Sequence, residues 1–338
     1  MLYTYKHINH DFEKIQKYIE HLVLNVWCKP NGNFLINKLH PDFVPIVNGV
    51  NPRYLKNPIK NVYRICNGLL PAQLLKLRNG FLANNSIEEL CMGMGTPLLY
   101  SEIYTIRPAL KRQLELFFKN LYSKVPQIIA FKKVCGEIDD YYDKLVDTNE
   151  KCPFCGINDI LTPKHSKRDA LDHYLPKDIY PFNSVNPNNL APICKTCNSS
   201  YKGTNSPIRD NIGVRRKAFY PFAKKAVKLE FKAKFNCTSI LKMKKEDVEL
   251  KITNSRYKEQ IETWDSLFGI KERYAIKLSS KDARGWLNTM LIDFKINPKT
   301  KYKSFAKKME YYENNPMEDN NFLRVTYFNA CKQMGVFN

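Results

Sequence analysis

The sequence predicts an α+β protein in three parts: a helical N-terminal domain over residues 1–146, a compact metal-stabilised module over 147–215, and a small α+β C-terminal unit over 216–338. Three observations predict it. Apolar residues recur at helical spacing in the first 145 residues or so. That period disappears between Lys151 and about Asp210, where Cys, Pro, Asn, His and Gly crowd together. Beyond it, one run alternates between apolar and charged residues before helical spacing returns.

In the N-terminal part, Phe12, Ile15, Ile19, Leu22 and Val26 predict a helix from Phe12 to Trp27. Pro108 stands near the start of a second run through Leu110, Leu114, Phe117 and Leu121, where its missing N–H costs little. A third run, Ile128 to Leu145, ends at the polar stretch Asp147-Thr148-Asn149-Glu150. Asn31 to Lys60, rich in Pro, Asn and Gly, reads as irregular. These helices carry no recognition motif; reading a sequence, contacting a partner and bracing the module all stay open.

In the C-terminal part, Val227, Leu229, Phe231, Ala233 and Phe235 alternate with Lys228, Glu230, Lys232 and Lys234, a half-buried strand with a basic outer face. Ser239–Met243 and Val248–Ile252 flank a polar turn and read as a hairpin. Tyr257, Ile261, Trp264 and Leu267 mark a helix stopped by Gly269. Lys281–Phe294, Tyr302–Tyr312 and Asn320–Met334 follow as helices, the last stopped by Gly335.

Composition sets the outer bounds. The chain has 338 residues, 43% hydrophobic and 26% charged, which excludes wholesale disorder and collagen-like structure. No apolar run approaches the roughly 20 residues that span a bilayer. Met1 to Asn9 lacks a basic-then-apolar signal pattern, so the expectation is a soluble, cytoplasmic protein. Lys and Arg number 54 against 33 Asp and Glu, a formal net charge of +21. Such an excess favours a polyanionic partner, because neutralising phosphates releases counterions. A merely Lys-rich surface is the alternative.

Ten cysteines should stay reduced in that compartment. Cys28, Cys66, Cys91, Cys135, Cys237 and Cys331 stand alone and read as small buried hydrophobes. The other four form two C-x₂-C pairs, Cys152-Pro-Phe-Cys155-Gly156 and Cys194-Lys-Thr-Cys197. Two intervening residues let both thiolates of a pair reach one tetrahedral ion. The 38 residues between Cys155 and Cys194 are too many for a simple zinc ribbon and imply an inserted substructure. A closed Cys₄ site with structural Zn²⁺ leaves no open position and performs no chemistry.

The insertion carries the chemistry. Asp172 offers a hard oxygen ligand suited to Mg²⁺ or Mn²⁺, and the neighbouring His173 can take a proton from water near neutral pH. Asn198, one residue past the last cysteine, offers a carbonyl oxygen to the same ion. Lys202, one turn on, could meet a phosphate. Each has a plainer reading: a satisfied histidine, a backbone-bonded carboxylate, a helix cap, an exposed lysine.

Together, Cys152-Pro-Phe-Cys155-Gly156, Asp172-His173-Tyr-Leu-Pro176, Asn189-Leu190-Ala-Pro192, Cys194-Lys-Thr-Cys197-Asn198 and Lys202-Gly203 resemble the zinc-knuckle form of the HNH nuclease family, over about 50 residues. The resemblance implies a ββα-metal fold that hydrolyses a phosphodiester with one divalent ion. It makes His173 the general base and Asp172 and Asn198 the ligands of the catalytic Mg²⁺ or Mn²⁺. Asn189 then orients the loop and the His173 ring, a part that Asn188 could also take. Some members have His where this chain has Asn198, and the change makes the site harder.

Arg215-Arg216-Lys217, beside Phe219, Tyr220 and Phe222, could follow a nucleic-acid backbone and stack bases; packing of the aromatics against the C-terminal unit is the favoured reading. His165 reads as part of a solvated loop. The leading expectation is a DNA endonuclease. RNA cleavage by the same site, or a catalytically silent zinc-stabilised binding module, are the alternatives. Size and arrangement resemble nuclease effectors of bacterial anti-phage systems of the Septu and retron type, which implies an SMC-like ATPase as a partner.

Overall fold

Phe12, Ile15, Ile19, Leu22 and Val26 fall on one face at helical spacing, and all are buried. In the computed structural model, which describes residues 1–147, 150–296 and 298–337, they build an α-helix over Glu13–His21 that runs on as a π-helical turn over Leu22–Trp27. Trp27 closes it, donating from Nε1 to the Ile59 carbonyl at 3.2 Å and meeting Phe117 edge-on at 5.2 Å. The architecture is α+β, with two small antiparallel sheets among many helices. No helix among the described residues is long and apolar enough to cross a membrane.

The chain divides into two compact units, Thr4–Glu150 with Ile160–Lys224, and Met1–Tyr3 with Lys151–Asp159 and Lys225–Asn338. The divisions fall after residues 3, 150, 159 and 224.

In the first unit, the helix Pro108–Ser123 starts on its proline and buries Leu110, Leu114, Phe117 and Leu121. The single helix expected from Ile128 to Leu145 is two, Ile129–Cys135 and Ile138–Val146, because Gly136 takes a left-handed φ of 71° between them. Of the polar stop beyond it, Thr148 and Asn149 lie outside the described residues. The stretch expected to be irregular, Asn31 to Lys60, contains the helix Phe43–Asn48 and the start of Lys56–Cys66. Pro45 and Pro58 each sit in a first turn, where no intrahelical N–H is required, so neither breaks its helix. Pro71–Asn85 is helical without one apolar stripe: Leu77 and Phe81 face inward, while Leu75 and Leu82 are exposed.

The module's sheet belongs to this unit. Strand β1, Ala170–His173, pairs antiparallel with β2, Leu190–Ile193, in the register Leu171↔Pro192, Asp172↔Ala191 and His173↔Leu190. Helical residues hold the hairpin from behind. Tyr122 Oη donates to the Leu171 carbonyl at 3.4 Å, Tyr141 Oη to Pro187 O at 3.3 Å, and Ser184 Oγ to Phe118 O at 3.3 Å.

In the second unit, β3, Glu230–Phe235, pairs antiparallel with β4, Val248–Thr253, placing Ala233 opposite Leu250 and Phe235 opposite Val248. The expected hairpin between Ser239–Met243 and Val248–Ile252 does not form. Ile240–Lys242 is a 3₁₀ turn burying Ile240, and the alternating run supplies the partner strand instead. Lys258–Phe268 ends at left-handed Gly269 (φ 59°), as its glycine stop predicts, and Ile270–Leu278, Lys281–Ile296, Lys301–Asn314 and Asn321–Gln333 follow. Phe231, Tyr274 and Phe322 form the aromatic centre, with ring centroids 5.3 to 6.1 Å apart.

Of the six lone cysteines, Cys66, Cys91, Cys135 and Cys331 are buried as expected; Cys28 and Cys237 are only half-buried.

Candidate functional site

The first C-x₂-C pair is a tight turn. Gly156 N donates to Cys152 O at 2.7 Å, and Gly156 adopts φ 64° where a side chain would collide with Leu2. Trp264 Nε1 donates to Phe154 O at 2.6 Å and Tyr274 Oη to Cys155 O at 2.7 Å. The second pair straddles the end of β2 and the π-helical turn Thr196–Lys202. Cys152, Cys155, Cys194 and Cys197 are all buried, and their four sulfurs lie within 4.8 Å of one another. Four thiols gathered this closely, away from water, suit a tetrahedral metal site of structural type.

Asp172 and His173 are neighbours on β1. The Asp172 carboxylate is 6% exposed; Oδ1 accepts from Lys202 Nζ at 3.0 Å, and Oδ2 is buried with no hydrogen-bond partner among the described residues. Burial pushes this carboxyl up, against the pull of the Lys202 ammonium.

His173 Nε2 lies 2.9 Å from the Ser184 carbonyl. A carbonyl only accepts, so Nε2 carries the proton and Nδ1 keeps its lone pair. The Tyr122 ring meets the imidazole edge-on at 4.4 Å. Burial, reinforced by the positive charges of Lys177 and Lys202, depresses the imidazole to about 3, so it is neutral at physiological pH.

Asn189 ties the loops around the hairpin together. Its Oδ1 accepts from Leu175 N at 2.7 Å, and its Nδ2 donates to Leu175 O at 3.0 Å and Asn183 O at 3.2 Å. It orients the loop, whereas the ring bond to His173 comes from Ser184. Asn188 instead accepts at its backbone carbonyl from Tyr220 Oη at 3.3 Å. Phe182, just upstream, has a left-handed φ of 81°, a conformation costing about 1–3 kcal/mol for a non-glycine residue. Its ring is clamped between Phe81 and Phe118, at 5.6 and 5.8 Å, and the two carbonyls that follow it are those accepting from Asn189 and His173.

Asn198 is half-buried on the second turn, its N–H donating to Cys194 O at 3.0 Å. Lys202, expected beside a phosphate, points inward: it is fully buried, bonded to Asp172 and to the His173 carbonyl, both at 3.0 Å. Asp172, His173, Asn189 and Lys202 therefore form one connected cluster.

The basic run lies apart from that network. Arg215 donates to Ile208 O and Leu90 O, both at 3.1 Å, and Arg216 to Pro207 O at 3.2 Å and Ser206 O at 2.8 Å; both are half-buried, and of the three only Lys217 is exposed. Phe219, Tyr220 and Phe222 are buried, with Phe222 5.8 Å from Tyr5 and 5.5 Å from His7. Packing is thus their role, against the N-terminal segment of their own unit. His165 is exposed and caps its own turn, its Nδ1 3.1 Å from Thr162 N. Ser184, Phe182 and Tyr122 carry no motif that sequence reasoning could have found. Ser184 acts through its backbone, and Tyr122 arrives from a helix 51 residues upstream of His173.

The chain is 49% identical over 63 residues to Protein ea31 of Escherichia phage lambda, and 40% identical over 65 residues to Septu protein PtuB of Bacillus thuringiensis. Each match covers 19% of this chain, and the chain spans 19% and 24% of the length of these curated relatives. No protein-family model matches the chain. No solved structure matches it.

Proposed function

We propose that the protein is a metal-dependent endonuclease of the HNH type that hydrolyses DNA phosphodiester bonds. The observation that carries this reading is the adjacency on β1 of a buried carboxylate with an unpartnered oxygen, Asp172, and a neutral imidazole held by Ser184, His173. The donor sets fit the groups such an enzyme needs. Four buried thiols suit structural Zn²⁺. Asp172 Oδ2 and the Asn198 side-chain carbonyl are hard oxygens that suit Mg²⁺ or Mn²⁺. When bound there, the divalent ion supplies positive charge against the anionic scissile phosphate.

The chain's own residues do the rest. His173 accepts a proton from water at Nδ1, because Nε2 is committed to the Ser184 carbonyl and the neutral form prevails at physiological pH. Asn189 keeps the 183–184 loop against the hairpin, so the imidazole meets its substrate in one orientation. Lys202 balances the Asp172 carboxylate inside the protein. The net charge of +21 favours a polyanionic substrate. Similarity to Septu protein PtuB supports a setting in defence; an SMC-like ATPase as the partner is what the resemblance of the sequence to such effectors implies.

Cleavage of supercoiled plasmid by the purified protein tests it, with Mg²⁺, Mn²⁺ or no divalent ion, in wild type and His173→Ala. Metal-dependent nicking or linearisation that falls by roughly 10²- to 10⁴-fold in the variant is the expected result. Equal cleavage by both proteins would remove His173 as the base. No cleavage of DNA, with cleavage of RNA under the same conditions, would change the substrate.

A further inference from the structure

We propose that the hairpin spanning Arg209 and Arg216 is an apolar wedge that enters duplex DNA and kinks it beside the candidate site. The inference rests on the nuclease reading above for its substrate.

The hairpin is short and stiff. Arg209 and Arg215 form an antiparallel bridge, Arg216 N donates to Ile208 O at 3.1 Å, and Asp210 N to Val214 O at 3.0 Å. At the tip, Asp210 Oδ1 accepts from Ile212 N at 3.1 Å and Val214 N at 2.8 Å, and Gly213 supplies the turn with φ 87°. Arg209 Nη1 clamps the Gly213 carbonyl at 2.7 Å. The base is equally fixed, by the four carbonyl contacts of Arg215 and Arg216 and by the Ser206 hydroxyl, 2.7 Å from Tyr180 Oη.

All this order serves a tip whose apolar side chains stand largely in water. Ile212 is 86% exposed and Val214 57%. A scattered exposed isoleucine needs no explanation. Here, however, the Asp210 side chain and an arginine hold the backbone in the shape that keeps two β-branched side chains in water. The same hairpin carries Arg209, Arg215 and Arg216, all half-buried, and the exposed Lys217, against one acidic residue, Asp210, on a chain of net charge +21. An apolar point on a hairpin rich in basic residues matches a duplex, whose phosphates favour the basic hairpin while the point inserts between stacked bases and bends the helix. The position also suits the site. Ile212 is ten residues beyond Lys202, so the two are at most ~35 Å apart, about one turn of duplex.

The test is ligase-catalysed circularisation of linear DNA near one persistence length, about 150 base pairs. It compares full-length His173→Ala protein, with Ile212 intact, to the same protein carrying Ile212→Ala, and duplex binding by both is measured by fluorescence anisotropy. A kink brings the ends together, so circularisation is expected to rise several-fold with Ile212 present and to return to the protein-free rate without it, while affinity changes little. Ile212→Leu should keep the effect. Binding with no rise, or an equal rise with Ile212→Ala, overturns the wedge in favour of a protein contact at the tip; absence of duplex binding also overturns it. Wild-type protein that cuts no DNA, combined with an Ile212-dependent rise, would sink the nuclease reading and keep the wedge.

Discussion

Lys202 Nζ lies 3.0 Å from Asp172 Oδ1, with both side chains buried, and the same ammonium donates to the backbone carbonyl of His173 at 3.0 Å. One cation thus joins the turn after the second cysteine pair to the strand that bears both candidate chemical groups. It also explains how a carboxylate persists beneath the surface. An uncompensated charge there would cost several kcal/mol, and the ammonium offsets it while leaving the second oxygen unpartnered.

Removing one partner of a buried pair strands the other. Lys202→Met is expected to destabilise the protein by about 3–5 kcal/mol. Adding Asp172→Asn should restore much of that loss, because no buried charge then remains. Urea unfolding of the two single variants and the double variant reads the coupling; additive losses would show that the pair does not act as one unit.

The four-thiol cluster should bind close to one zinc ion per chain. Cys194→Ser is expected to lose that zinc and to unfold at a markedly lower temperature, with a deficit on the order of several kcal/mol. Elemental analysis with thermal melts checks both points. A variant without zinc that melts like wild type would mean the cluster has no structural part.

Gly80 sits mid-helix in Pro71–Asn85, where alanine normally gains up to about 1 kcal/mol. A β-carbon at that position would overlap the Leu98 side chain, which lies buried. Overpacking of this kind costs about 1–3 kcal/mol, so Gly80→Ala is expected to be destabilising on balance. A rise in melting temperature would show that Leu98 yields.

Thiol reactivity should follow burial. In folded protein near pH 8, alkylation is expected at the half-buried Cys28 and Cys237 and not at Cys66, Cys91, Cys135 or Cys331. Burial raises the Cys28 thiol to about 11, so its thiolate fraction is small at that pH. Its labelling rate should therefore climb roughly tenfold per pH unit until the pH nears that value. Peptide mapping after a timed pulse reads each site; a flat rate at Cys28 across this range would place its thiol in water.

Much of this was legible in the chain. The face through Phe12 and Val26, the helix opened by Pro108, the stops at Gly269 and Gly335 and the strand ending at Phe235 follow local rules of spacing and φ, and the structure keeps them. Local rules are silent on pairing between distant segments. A strand cannot announce which other strand it will pair with: nearness along the chain pairs Val248–Ile252 with Ser239–Met243, whereas the structure pairs Val248–Thr253 with the alternating run Glu230–Phe235. Two prolines that looked like breakers were placed where a first turn tolerates them.

At the candidate site the same line divides what composition and spacing determine from what packing decides. Cys152, Cys155, Cys194 and Cys197 are legible in the sequence, because two C-x₂-C pairs have the spacing that one tetrahedral ion demands. Asp172, His173, Asn189 and Asn198 are marked by the resemblance of their motifs to the HNH family, and their chemical roles are those of the proposal above. The direction of Lys202, the carbonyl of Ser184 that sets the His173 tautomer and the Tyr122 ring against it were decided only by the tertiary structure. These depend on backbone groups, which every residue carries, and on contacts across 11 to 51 residues of chain, and no side-chain pattern records either.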